Sequence, residues 1–125
     1  MSNNIFINND DIIELVYKGD QNQEISRKML ADAQAIIAKQ KAANKRVLLL
    51  LDLQNMGKLD YESRKIGFQG MLQLEYDKIA CYGQSRVLGF IINFMIKASG
   101  KGDQIKLMAS REEAVNWLKQ TSTAG

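Results

Sequence analysis

The run Val47-Leu48-Leu49-Leu50-Leu51, followed by Asp52 and Leu53, constrains the fold more than any other stretch of the chain. Five consecutive apolar residues leave no polar side, so a strand here is covered on both faces, as in a parallel sheet flanked by helices. A buried helix segment looks similar over this length. The run stops at a polar segment containing Asn55 and Gly57, however, which favours a strand over 47–53. Asp52 and Gln54 then fall at or just past its carboxyl end, where open α/β sheets place functional groups.

Other elements follow on either side. Ile5-Phe6-Ile7 and Ile12–Tyr17 read as antiparallel strands joined by the turn Asn8-Asn9-Asp10-Asp11, with Lys18-Gly19-Asp20 ending the second. Glu14 interrupts that strand and suggests a side that reaches water. Between Glu24 and Ala43, apolar residues from Ile25 to Ile37 recur at three- and four-residue steps, which predicts a helix capped by Asn22. The strand after it is then parallel to the one before, through a right-handed crossover. Lys39, Lys41, Lys45 and Arg46 crowd the helix end, either complementing its dipole or forming a phosphate-binding patch.

Asp60 caps a further helix ending near Glu75, with Tyr61, Ile66, Phe68 and Leu72 on one face. Its Gly67 and Gly70 either permit close packing or mark a weak segment. Asp77–Tyr82 reads as a core strand in which Cys81 is structural. A third helix starts at Gln84 or Ser85, is apolar almost throughout Val87–Ile96, and stops at Gly100 and Gly102. Such a helix needs cover from a second subunit or a lipid as well as from the sheet. Gln104–Met108 suggests a strand at or near an edge. Ser110 and Glu113 have capping-box spacing before a last helix that docks through Ala114, Val115, Trp117 and Leu118. Residues 121–125 are expected to fray.

The 125 residues fit one domain spanning 1–125, with an ordinary 46% hydrophobic and 25% charged content. No apolar run reaches the roughly 18 residues of a membrane span, and the start MSNNIFINNDD is too polar for a signal peptide, so a cytoplasmic location is expected. The formal charge of +3 is too small to argue for nucleic acid. Absence of histidine removes Ser-His-Asp and Cys-His chemistry and two-histidine metal sites, and the single cysteine excludes an internal disulfide. No cofactor or metal is expected.

Three features remain as chemistry. Asp52 and Asp60, with Glu62 beside them, are candidates to converge at the end of the central strand, as a small enzyme or metal-dependent hydrolase requires. Arg86, Lys97, Lys101 and Lys106 form a candidate basic rim around the apolar helix, suited to an acidic partner or peripheral membrane contact. Ser63 stands inside a helix start, where an added phosphate faces backbone N–H groups.

The element order ββαβαβαβα, with VLLLLDLQNMG, KIACYGQSRVLGFIINFMIKA and the terminal ASREEAVNWLK, resembles the STAS domain superfamily and within it the SpoIIAA-like branch. The resemblance implies an α/β fold, a mixed sheet of about five strands with about four helices. It also implies a non-enzymatic regulatory or interaction module. Members of this superfamily include anti-sigma-factor antagonists phosphorylated by a partner kinase on the serine of an Asp-Ser pair; this chain has Asp60-Tyr61 there, with Ser63 further along. Looser relatives of CRAL-TRIO type imply lipid binding. The expected contact surface combines Asp52, Lys58, Asp60, Ser63, Arg64 and Arg86 with the apolar Phe90, Ile91, Phe94 and Met95. Its expected partner is a protein, a second copy in a homodimer, or a small apolar molecule.

Overall fold

β3 (Leu48–Leu59) occupies the middle of a five-stranded sheet in the computed structural model, which describes residues 2–121. The fraying expected after Thr121 therefore lies outside the described residues. β1 (Asn4–Ile7) pairs antiparallel with β2 (Ile13–Gln21); β2, β3, β4 (Lys78–Tyr82) and β5 (Ile105–Leu107) are parallel, in the order β1-β2-β3-β4-β5. α1 (Gln23–Ala42), α2 (Tyr61–Gln73) and α3 (Arg86–Ser99) connect the parallel strands, and α4 (Arg111–Lys119) follows β5. The mixed α/β architecture and element order are those expected. No helix among the described residues is long and apolar enough to cross a membrane.

Because the parallel strands advance steadily across the sheet, crossovers of one hand bring their helices to the same face. Met29, Ala33 and Ile37 of α1 and Leu88, Ile92 and Ile96 of α3 share a core with Ile13, Leu15, Leu49, Leu53, Ile79 and Cys81. α4 covers the other face alone, where Ala114 and Leu118 pack on Ile12, Leu48, Leu50, Ala80 and Tyr82. Alternate residues of the apolar run thus enter two different cores, which removes its polar side.

Strands β2 and β3 run further than expected. β2 continues through Lys18-Gly19-Asp20 to Gln21, and β3 continues to Leu59. Two register shifts, each with an extra residue on β3, keep them paired beyond the last β3–β4 partners, Asp52 and Tyr82. The extension is held where the Asp20 carboxylate accepts from the Lys58 N–H at 2.7 Å. Gly57 permits that approach, since a Cβ there would sit 2.2 Å from Asp20 Oδ1. The resulting two-stranded arm leads into α2.

Caps fix the helix starts. Asn22, Asp60, Ser85 and Ser110 each accept a hydrogen bond from an N–H three residues on. In α2 the inward residues are Ser63, Ile66 and Gly70, whereas Tyr61 and Leu72, expected on the packed face, are exposed. The two glycines do serve packing: a Cβ at Gly67 would meet Met95 at 3.3 Å and one at Gly70 would meet Leu30 at 3.4 Å. They let α2 lie close to α3 and α1.

Gly83 ends β4 at φ +79°, and a Cβ there would stand 2.3 Å from Gln54 Cγ and 3.0 Å from its backbone nitrogen. Gly100 also has positive φ but open space around it. Gly83→Ala is expected to lower stability by about 2–3 kcal/mol and Gly100→Ala by about 1 kcal/mol. Thermal denaturation of both variants checks the ranking; equal losses would show that the Gln54 contact yields freely.

Candidate functional site

All four helices begin at the carboxyl edge of the parallel strands, so their capped N-termini gather on that side of the molecule. Most of the polar candidates lie there. Asp52 Oδ1 accepts from Gln54 N at 3.0 Å and from Gln54 Nε2 at 3.2 Å, within β3 at its first register shift against β2. Asp60 Oδ1 accepts from Ser63 N at 2.8 Å as the α2 cap. Extended strand separates the two aspartates, on the order of 20 Å of chain. They do not converge as the enzyme alternative required. No group of three or more acidic or Cys side chains suited to a metal ion occurs among the described residues.

Lys58, Arg64 and Arg86 are exposed, and Arg64 Nε donates to the Leu59 carbonyl at 2.9 Å. Ser63 is not on this surface. It is 2% exposed, and its Oγ meets Ser26 Oγ at 2.9 Å across the α1–α2 contact. A kinase therefore reaches Ser63 only when that contact opens. The residue exposed at the start of α2 is Tyr61, with Lys65 Nζ 5.4 Å from its ring centre.

α3 presents the apolar half of the expected surface. Phe90 is 79% exposed, and Phe94 and Val87 are each 69% exposed. Their spacing of three and four residues forms one stripe, with Ile91 half-buried beside it. Met95 faces inward against α2. Arg86 starts the helix and Lys97 lies in its last turn, with no acidic residue on it. Lys106 does not join this rim: it lies over Trp117 of α4, 5.8 Å from the ring centre, because alternation along β5 turns it to the opposite sheet face. Of the basic group at the end of α1, Lys41 pairs with Glu75 and Lys45 with Asp11.

Beneath α1, α2 and α3 lies a cavity of about 130 Å³. Its walls include Met29, Met56, Met71 and Met95, with Gly67 and Gly70 on α2. Cys81 also lines it, and burial pushes that thiol up to about 12. A neutral, inert cysteine follows, as expected from its place in the strand.

One buried polar group gave no sign of its role in the sequence. Glu14, expected near water, is 4% exposed on the α4 side of the sheet. Its carboxylate accepts two hydrogen bonds from the Arg111 guanidinium, at 2.8 and 2.7 Å, and one from Asn8 Nδ2 at 2.8 Å. Arg111 also donates to the Tyr82 hydroxyl at 3.0 Å. Ninety-seven residues separate the ion pair, so no local pattern announces it. It clamps the start of α4, while Lys78 Nζ holds the other end through the Trp117 and Gln120 carbonyls.

A family model described as a domain of unknown function, DUF7793, matches residues 5–122. The chain belongs to that family. None of the curated proteins matches it. Among solved structures, it is similar to the anti-sigma factor antagonist SpoIIAA in its unphosphorylated form, at 11% identity and a TM-score of 0.69, over 96% of this chain and 100% of that one. It is also similar to an uncharacterized DUF3478-family protein with a SpoIIAA-like fold from Shewanella loihica PV-4, at 16% identity and a TM-score of 0.64, over 94% and 92% of the two chains. At these identities the likeness is one of fold, and the fold is SpoIIAA-like, in agreement with the resemblance drawn from the sequence.

Hydrogen bonds from Arg111 hold the Glu14 carboxyl below its ordinary value of 4.5. The pair thus adds stability that is fully present above that value and is lost as pH falls through the lower folded-state value. Arg111→Met leaves a buried carboxyl facing Asn8 alone, and burial then favours its protonated form. The variant is expected to lose about 2–3 kcal/mol at pH 7, less than for a wholly buried pair because Arg111 is half exposed. That deficit is expected to shrink by pH 3.5. Urea denaturation at both pH values checks this; a pH-independent deficit would assign the effect to α4 packing alone.

Proposed function

We propose that the protein is a non-enzymatic interaction module that binds a protein partner through the carboxyl edge and the outer face of α3. The observation that carries this reading is the stripe Val87, Phe90 and Phe94, more than two-thirds exposed on a helix whose inner face is already packed. Exposed aromatic side chains of this size on one face mark interaction surfaces. Ile91 widens the stripe, while Met95 supports it from beneath. Lys58, Arg64 and Arg86 supply a positive polar border, and the absence of acid on α3 favours a partner with acidic groups. Asp52 and Asp60 contribute by shaping the β3 arm and the α2 start rather than by acting on a substrate.

The SpoIIAA likeness supports a regulatory role of this kind, since that protein is an anti-sigma factor antagonist. In the same reading Ser63 is a modification site available only on opening of the α1–α2 contact, and the protein works in the cytoplasm. A second copy of the chain is one partner that the α3 stripe would accept.

Phe94→Asp tests the reading. Because Phe94 is exposed, the variant is expected to keep the wild-type melting temperature within a few degrees, ~1 kcal/mol or less. Native mass spectrometry after gentle purification from the host is expected to show a protein complex or homodimer for wild type and a bare monomer for the variant. Identical assemblies for both would remove α3 from the interface. A large stability loss would make the residue part of the core.

A further inference from the structure

We propose that the cavity beneath α1, α2 and α3 is a binding site for a small, neutral amphiphile, a single ring or short alkyl chain bearing one hydrogen-bonding group. The space of about 130 Å³ reaches down between the three helices to the apolar face of the sheet, at Leu49, Ile79 and Ile105. It is comparable to the ~150 Å³ engineered cavity that takes up benzene. That comparison sets the ligand's size.

The lining sets its chemistry. No Asp, Glu, Lys or Arg contributes to the cavity wall, so a charged ligand would be desolvated without a partner. Four lining residues carry a hydroxyl or amide, and Cys81 adds a neutral thiol in mid-sheet. Tyr17 and Gln21 come from late β2, and Ser26 and Ser63 from the first turns of α1 and α2, all toward the carboxyl edge of the sheet. The Ser26–Ser63 hydrogen bond is a pair of hydroxyls able to turn toward a ligand's hydroxyl or carbonyl. At the other end, residues such as Leu74, Ile79 and Ile105 present only hydrocarbon.

The walls are also adaptable. Four of the six methionines in the chain line this one space, and unbranched thioethers repack around differently shaped ligands and favour aromatic rings. Gly67 and Gly70 bring no side chain of their own to the α2 wall, where the nearest groups are the flexible ends of Met95 and Leu30. None of these features involves the outer face of α3, and the site does not depend on the partner-binding reading.

The test uses the full chain labelled with ¹³C at the methionine methyl groups and titrated with p-cresol, which has a ring, a methyl and one hydroxyl. The signals of Met29, Met56, Met71 and Met95 are expected to shift along one saturable curve. Met108, which packs on the α4 side of the sheet, is expected to stay in place. Benzoate, of similar size but charged at neutral pH, is expected to give no saturable shift. Ala33→Leu pushes a side chain into the cavity from α1 and is expected to weaken p-cresol binding at least ~10-fold with the fold retained. Ala33→Val gives the same reading with a smaller intrusion should the leucine prevent folding. No saturable shift of the four methyls, an equal shift of Met108, benzoate binding as tightly as p-cresol, or undiminished binding in the folded Ala33 variant would each overturn the proposal.

Discussion

The structure depends on covering both faces of β3. A central parallel strand without a polar side has to find hydrocarbon above and below, and the chain meets that demand unequally. Three helices cover one face and the short α4 covers the other. Much else follows from this asymmetry. The three-helix side is large enough to hold a cavity, while the single-helix side is small and is closed at its edge by the Glu14–Arg111 pair rather than by more apolar surface. A carboxylate buried on β2 is tolerated there because the guanidinium and Asn8 donate to it while the Tyr82 hydroxyl accepts from the guanidinium.

Elements whose cause is local were legible in the sequence. The order ββαβαβαβα, the caps Asn22, Asp60 and Ser110 and the Gly100 stop are all readable from adjacent residues, as is the SpoIIAA-like resemblance, whereas the start of α3 is left between Gln84 and Ser85. Features set by distant partners were not. The end of β2 looked like Lys18-Gly19-Asp20, but pairing with β3 overrides that turn signal, and Asp20 and Gly57 meet only once both strands are extended. Glu14 looked like a sign of water because its partner lies at the far end of the chain. Lys106 seemed to border α3 until strand alternation placed it with Trp117.

The candidate site divides in the same way. Phe90 and Phe94 were recognisable as apolar residues in excess of what a sheet-facing helix needs, and they are on the surface. Which residues of that run face inward, Met95 among them, depends on where α2 lies, and hence on Gly67. Sequence position alone puts Ser63 at a helix start; its place in the helix is as expected, but its hydroxyl is turned toward Ser26 because α1 and α2 share the cavity roof. The space between those helices had no signature in the sequence at all. It arises from three helices meeting one sheet.

If the outer face of α3 is a contact surface, its aromatic rings are covered in the host and bare in isolation. Hydroxyl-radical footprinting of the protein in fresh host extract and after purification measures this directly, with the exposed Phe6 of edge strand β1 as a reference away from both α3 and the carboxyl edge. Phe90 and Phe94 are expected to be oxidised several-fold less in extract than when purified, while the ratio at Phe6 changes little. Equal oxidation of Phe90 and Phe94 in both samples would contradict a contact role for that face.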